Sequence, residues 1–436
     1  MRKKFVLMVF YTNINLHSAG TEKYIKAQIA ALDKSDVDTI LLYPVKKSLG
    51  AIVINMWGVM LNDRVVDILN TDVLRDSLYR LVDEGHELVG IYLHHLMNIE
   101  LSALSSILSV VKHGKVYVMI HDFYTACVQY NLLKNGEYYC GDASLTEEKC
   151  SNCKYYGESK SKKEKVMDFL KGLSRLNLCF IAPSKFVEYL WKQAYPQYSE
   201  IIVTVPNQVL CGKYSGNKEV VEDRRSLRIA YVGAQSQRKG WNAWKNALKM
   251  LSKNHKNYSL FYFGTGREKL TGVTSIGVSI QRDGSTAMSD ALRDNEIHVA
   301  VLNSTCPETY SYTYYECLSA NAFVITNVCS GNIATQVRLR NNGVVMEDSE
   351  DLFSLLSDEI ALRKMVNKYR KSDGFGPEIL RDRTDWDFHE YAFQDDMHKH
   401  GCNIKSRLMR LISIRLYNFR YGKVGQAVPF YSVWLR

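Results

Sequence analysis

Two glutamates eight positions apart, Glu308 and Glu316, bracket the segment Cys306-Pro-Glu-Thr-Tyr-Ser-Tyr-Thr-Tyr-Tyr-Glu316. An apolar run at 297–302 precedes it, so the segment reads as the exit of a strand and the opening of a helix. On one helix the two carboxylates would lie about 80° apart around the axis and two turns apart along it. Free backbone N–H groups at a helix start, Thr309 and Tyr310 among them, suit a phosphate or a sugar hydroxyl. Glu316 has two oxygens to offer a diol such as a ribose, and Glu308 sits where it can touch a transferred group. Spacing alone favours an ordinary pair of solvated helix glutamates.

Three further loops carry residue types suited to the same chemistry. His17-Ser-Ala-Gly-Thr-Glu22 joins the first strand to the first helix, and Gly20 there allows backbone N–H groups to approach a diphosphate closely. A plain turn capped by Thr21 fits the same residues. Val232-Gly-Ala-Gln-Ser-Gln-Arg-Lys-Gly240 follows a later strand, and Lys239, with Arg238 beside it, can meet the charge of a leaving diphosphate. Ile120-His121-Asp122 ends another strand; His121 is equally readable as a cleft residue or as a structural histidine. His94 and His95 close the strand before it. Phe263-Gly-Thr-Gly266 is a weaker nucleotide signal, because a short Gly-x-Gly is common.

Cys127, Cys140, Cys150 and Cys153 fall within one long, aperiodic stretch, 123–165. Cys150-Ser-Asn-Cys153 has the spacing of half a zinc site, and a loop of that length needs a clip or a function. Structural zinc and free thiols are the two readings. Four thiolates would close the coordination shell, which argues against a catalytic metal. The Asp-x-Asp patterns at Asp36/Asp38 and Asp385/Asp387 lie away from the cleft loops and read as surface acids.

These loops need strands and helices to hold them. Strand-like runs at 5–10, 39–43, 88–93, 116–120, 178–182 and 201–205 alternate with helix-period segments at 22–32, 65–83 and 101–111. The run 51–61 reads as a strand or hairpin. After Pro206 and Asn207 a polar stretch, 212–225, reads as a linker. A second series follows, with strands at 228–232, 260–263, 297–302, 323–326 and 344–346 and helices at 241–251, 288–293, 310–319 and 351–369. Alternation of this kind predicts two α/β, Rossmann-like, doubly wound parallel-sheet domains facing a central cleft, with ligands at the carboxyl ends of the strands. The expected divisions are 1–208, 209–384 and a basic tail, 385–436.

The chain has 436 residues, 46% of them hydrophobic and 23% charged, enough for two soluble cores. Its basic, apolar start stops at Phe10 and lacks a cleavage site, so the chain is expected to stay in a reducing cytoplasm, its 10 cysteines unpaired. In the tail, Lys405, Arg407, Arg410, Arg415, Arg420 and Lys423 alternate with apolar residues, as in a basic amphipathic helix. It is expected either to lie on an anionic membrane surface or to pack back on the first domain. No nucleic-acid-binding motif accompanies the net charge of +10, and nucleic acid is not expected as a partner.

PETYSYTYYECLSANAFVIT resembles the signature of retaining family-4 glycosyltransferases of the GT-B fold, in which two glutamates eight apart precede a small-residue segment and an apolar strand. Gly331 fits the glycine that follows there, the 17–22 loop looks like the family's Gly-Gly-x-Glu loop, and Lys239 matches its phosphate-binding lysine. Ala19 and Ala234 depart from it, standing where a glycine and an arginine are usual; Arg238 is the candidate substitute. The PETYSYT form is similar to that of rhamnosyltransferases. The resemblance implies transfer from a nucleotide-sugar donor to a glycan or lipid-linked acceptor, with retention and without a metal at the reacting centre, in cell-surface polysaccharide synthesis. Glu308, His121 and Lys239 would serve the reaction, and Gly20, Arg238, Lys239, Glu308, Thr309, Tyr310, Glu316 and Gly331 would bind the donor. An epimerase, a phosphorylase and a non-catalytic sugar-nucleotide-binding module are the alternatives on this architecture.

Overall fold

The computed structural model describes residues 1–17, 19–49, 52–213, 219–251 and 257–383. Ser18, part of the linker and the whole basic tail, with Asp385 and Asp387, lie outside the described residues.

The first half of the chain builds β1 (Lys4–Val9), α1 (Gly20–Lys34), β2 (Val37–Leu49), β3 (Ile52–Leu61), β4 (Arg64–Leu69), α2 (Thr71–Asp83), β5 (Glu87–Leu93), α3 (Leu101–Leu108) and β6 (Lys115–Met119). The cysteine-rich excursion holds a small hairpin, β7 (Leu133–Lys134) with β8 (Tyr138–Tyr139), and the turn α4 (Glu147–Cys150). Then come α5 (Tyr156–Gly172), β9 (Asn177–Ala182), α6 (Lys185–Ala194) and β10 (Ile202–Thr204). The strands form one sheet in the order β10-β9-β6-β5-β1-β2-β3-β4. Pairing is parallel as far as β2; β3 and β4 extend that edge antiparallel.

Alternation along β1 shows how the layers are made. Phe5, Leu7 and Val9 join one apolar cluster, and Val6, Met8 and Phe10 join another on the opposite face. Successive side chains of a strand point to opposite faces, so a strand with helices on both sides must be apolar throughout.

The connection β11 (Gln208–Lys213) leads to β12 (Leu227–Val232), α7 (Trp241–Leu251), β13 (Tyr258–Gly264), β14 (Val273–Gly277), α8 (Ile280–Asp283), α9 (Ala287–Asp294), β15 (Val299–Val301) and α10 (Tyr312–Ser319). Next are β16 (Phe323–Asn327), α11 (Asn332–Arg340), β17 (Gly343–Met346), α12 (Leu352–Ser357), α13 (Glu359–Lys371) and β18 (Glu378–Asp382). The second sheet is wholly parallel, in the order β14-β13-β12-β15-β16-β17. Leu227, Ile229 and Tyr231 pack on one face, and Ala230 and Val232 on the other. β11 and β18 pair antiparallel as a separate two-stranded ribbon. No helix among the described residues is long and apolar enough to cross a membrane.

Three expectations are corrected. The helix expected over 65–83 starts at Thr71, because Asn70 caps it by accepting from Val73 N at 2.8 Å, while 64–69 is β4. The helix expected over 351–369 breaks at Asp358, whose side chain caps a new start by accepting from Ala361 N. The helix expected from Tyr310 begins at Tyr312, capped by Ser311, so Glu308 lies in the loop before it and the shared-helix geometry of the two glutamates does not apply.

Candidate functional site

The carboxyl ends of the parallel strands in both sheets open on one cleft of about 860 Å³. From the first domain it is lined by the start of α1 (Ala19 to Lys23, then Lys26 and Ala27), His121, Pro183 and Asn207. From the second it is lined by Gly233, Ala234, Lys239, Gly264, Thr265, Glu308 to Thr313, Glu316 and Asp382 among others. Of the residues singled out in the sequence, the fold therefore gathers Gly20, His121, Lys239, Glu308, Thr309, Tyr310 and Glu316 at one place.

Glu308 is held from three directions. Its carboxylate accepts from Lys239 Nζ at 2.6 Å and from Ser304 Oγ at 2.9 Å. Its backbone bridges to the Gly331 turn, with Glu308 N donating to Ser330 O and Asn332 N donating to Glu308 O. Gly331 is at φ 62° and ψ −118°, and a Cβ there would stand 2.8 Å from the Phe186 ring and 2.9 Å from both Glu308 N and O. Only glycine fits such a close approach with that backbone. Lys239 reaches Glu308 because Gly240 turns the chain at φ 82°, where a Cβ would collide with the Asn303 carbonyl.

Glu316 lies deeper, on α10. Burial pushes its carboxyl above the ordinary range, the nearby Lys23 opposing this, and its Oε1 has no hydrogen-bond partner in the structure. A buried polar atom without a partner is uncommon and is a place for a ligand group. Lys23 Nζ sits 4.3 Å from the centre of the Tyr312 ring, and Tyr312 also packs against Gly20. Glu22 closes the start of α1 by accepting from Ala19 N at 3.2 Å, with Tyr11 Oη donating to it at 3.3 Å. Ala19, not Thr21, is thus the N-cap of α1.

His121 reports to both halves of the molecule. Thr309 Oγ1 donates to the His121 carbonyl at 2.7 Å, and Ser184 Oγ donates to the Thr309 carbonyl at 2.9 Å. The His121 ring lies 3.0 Å, Nε2 to Nδ1, from His94. Burial is the main cause that lowers its pKa to about 3 and drives that of His94 well down, so both rings are neutral near pH 7. His95 Nε2 meets Asp122 Oδ2 at 2.8 Å; burial would raise the Asp122 pKa, but His95 and the Tyr124 N–H hold it below the ordinary value.

Arg238 is not brought into the cleft. Its Nη1 donates to Tyr130 Oη at 3.4 Å, and its carbonyl accepts from Thr305 N and Ser304 Oγ. Tyr310 turns its hydroxyl to Gln208 at 3.2 Å and stacks on Tyr315. Cys127, Cys140, Cys150 and Cys153 line a separate cavity of about 340 Å³. Among the described residues no group of three or more His, Cys, Asp or Glu side chains has a metal-holding arrangement. Sequence reasoning missed Lys23, Tyr312, Asn207 and Asp382. Lys23, directly after Glu22 in the first turn of α1, had a local signal; Asp382 comes from a late strand, and nothing near it in sequence points to the cleft.

No family model matches the chain. No curated protein matches its sequence significantly. Among solved structures, Anabaena Alr3699/HepE in complex with UDP-glucose is similar at TM-score 0.50 and 11% identity, covering 84% of this chain and 92% of that one. A glycosyltransferase from Rickettsia africae aligns at TM-score 0.49 and 12% identity, over 84% and 91% of the two chains. Sucrose-phosphate synthase from Thermosynechococcus elongatus aligns at 0.48 and 11%, over 84% and 92%. At these identities the likeness is one of fold, and it rests on the first of the three. The architecture is that of GT-B glycosyltransferases, two Rossmann-like domains facing a cleft.

Proposed function

We propose that the chain is a retaining glycosyltransferase that takes a nucleotide sugar between its domains, with 1–208 on the acceptor side and 209–384 on the donor side. The observation that carries this reading is the Lys239–Glu308 pair facing a cleft that also holds the half-buried Glu316, whose buried Oε1 has no hydrogen-bond partner. Glu316 would accept the ribose hydroxyls, which restores partners to Oε1. The start of α1 at Gly20 and the loop at Thr309 and Tyr310 would face the diphosphate, with Lys239 stabilising the charge that grows on it. Glu308 would hold a hydroxyl of the transferred sugar.

In the reaction that follows, the bond from the anomeric carbon to the diphosphate oxygen breaks. The acceptor oxygen bonds to the same face of that carbon, and the acceptor proton passes to the departing diphosphate. His121, neutral at physiological pH, is then a hydrogen-bond donor or acceptor to the sugar and not the base. The acceptor is a glycan or lipid-linked sugar of a cell-surface polysaccharide; for this the support is the motif resemblance alone. The zinc expectation rests on the Cys150–Cys153 spacing and on four thiols that line one cavity without being drawn into a metal-holding arrangement. One zinc per chain by elemental analysis would uphold it, and a metal-free protein with all four thiols titratable would discard it.

A second reading is a sugar-nucleotide-binding module without catalysis. Ala234, and an Arg238 turned toward Tyr130, favour it, since neither supplies the second cation that the resemblance places beside Lys239. A melting screen of the parent and Glu316→Ala against UDP-, GDP-, dTDP- and ADP-sugars tests both readings. UDP-glucose comes first, because the fold neighbour was solved with it. A donor at a hundred times its Kd adds about 2.7 kcal/mol. Stabilisation of the parent but not of the variant supports the site; stabilisation without transfer or hydrolysis supports the module; no response to any nucleotide sugar overturns both.

A further inference from the structure

We infer that His94 is a positioning residue whose Nδ1–H donates to His121 Nε2, fixing His121 as the tautomer that carries its own proton on Nδ1. The inference deepens the transferase reading of the cleft and rests on it only for the role of the ligand. The two ring nitrogens stand 3.0 Å apart, so one proton lies between them. Two arrangements satisfy that distance. If His121 donated, the His94 proton would sit on its Nε2, which is buried and has no hydrogen-bond partner in the structure. That would orphan a buried N–H, the rarer of the two defects; the reverse arrangement leaves only a bare lone pair there. Tyr92 stacks on the His94 ring and the edge of Tyr24 packs against both histidines, so neither ring is free to turn over.

The consequence reaches the cleft. His121 lines it, and with Nε2 engaged by His94, Nδ1 is the nitrogen left to meet a ligand; it makes no hydrogen bond to a described residue. As an N–H it donates, so it selects an oxygen with a lone pair, such as a hydroxyl of the transferred sugar or a diphosphate oxygen. It cannot draw a proton from an acceptor. The neighbouring His95 is set the opposite way: its Nδ1 accepts from Met97 N, so its Nε2–H faces Asp122.

Histidine-selective 15N labelling of the ligand-free full chain, read through long-range proton–nitrogen correlations, tests this directly. His121 is assigned by the signals lost in His121→Gln. The expected result is a protonated Nδ1 and a bare Nε2 on His121 at neutral pH. His94→Asn, whose amide places an N–H where Nδ1 was, should keep that pattern, and His94→Leu should convert it to a mixture of tautomers. The donor KM should rise about tenfold in His94→Leu and less than twofold in His94→Asn. A His121 that carries its proton on Nε2, an imidazolium, or a His94→Leu protein with an unchanged His121 pattern would overturn the inference. Because the spectra are taken without substrate, a protein that shows the expected tautomer yet binds no nucleotide sugar defeats the transferase reading and leaves this one standing.

Discussion

Thr309 donates its hydroxyl to the carbonyl of His121 at 2.7 Å, tying the loop that carries Glu308 to the strand end that carries the cleft histidine. The two residues belong to different domains, and the bond crosses the floor of the cleft. Thr309→Val keeps the shape but leaves that carbonyl without its donor, at a cost of about 1 kcal/mol. The urea midpoint should fall with an unchanged slope. An unchanged midpoint would mean that the domains are not held together here.

Lys239→Ala should lower kcat by about a hundredfold, because the charge of the leaving diphosphate would lose the cation proposed to face it. Glu308, whose side chain is only 15% exposed, would also lose its 2.6 Å partner, so the melting temperature is measured in parallel. Lys239→Arg should recover part of the rate. Turnover in Lys239→Ala equal to the parent's would remove the lysine from the site.

Gly331→Ala places a methyl against Phe186 and the Glu308 backbone at a φ that side chains rarely adopt. The cost should be about 2–3 kcal/mol, read by denaturant unfolding. Since Phe186 is in α6 of the first domain and Glu308 in the second, activity should fall as well. A fully stable Gly331→Ala would show that the turn is looser than its geometry implies.

Asp67, on β4, is buried, and burial raises its pKa to about 6 against a backbone hydrogen bond from Ile68 that lowers it. The unfolded group titrates near pH 3.9. The folded state therefore holds the proton more tightly, and its stability falls as pH rises from about 4 to about 6, then levels. By linkage the loss above pH 6 is about 2–3 kcal/mol. Asp67→Asn should raise the melting temperature at pH 7 and make no difference below pH 4. A gain of equal size at both pH values would locate the effect in packing.

Most of the two-domain plan was legible because parallel strands covered on both faces are continuous apolar runs, as in β1, β12 and β16. The edge was not. Val65, Val66, Ile68 and Leu69 of β4 run straight into the helical period of α2, so the pattern alone joins the two. The Asn62–Asp63 turn, with Asn62 at φ 55°, and the Asn70 cap were the local marks of a hairpin and a fresh start. For the site, residue types were readable and directions were not. Glu316 and Lys239 arrive in the cleft because each follows a strand end. Arg238 is adjacent in sequence yet reaches Tyr130, a partner 108 positions away that no local pattern could indicate.

The β11–β18 ribbon has a mechanical meaning. β11 carries the chain away from the first sheet, β18 returns from the second, and Arg383 beyond β18 donates to the carbonyls of Asn207 and Pro206. A single strand between two bodies is a swivel; two strands laced by backbone hydrogen bonds are a strap, compliant across its flat face and stiff within its plane. The exit of the first domain and the last described strand of the second are thereby fastened to each other along their length and not at a single point.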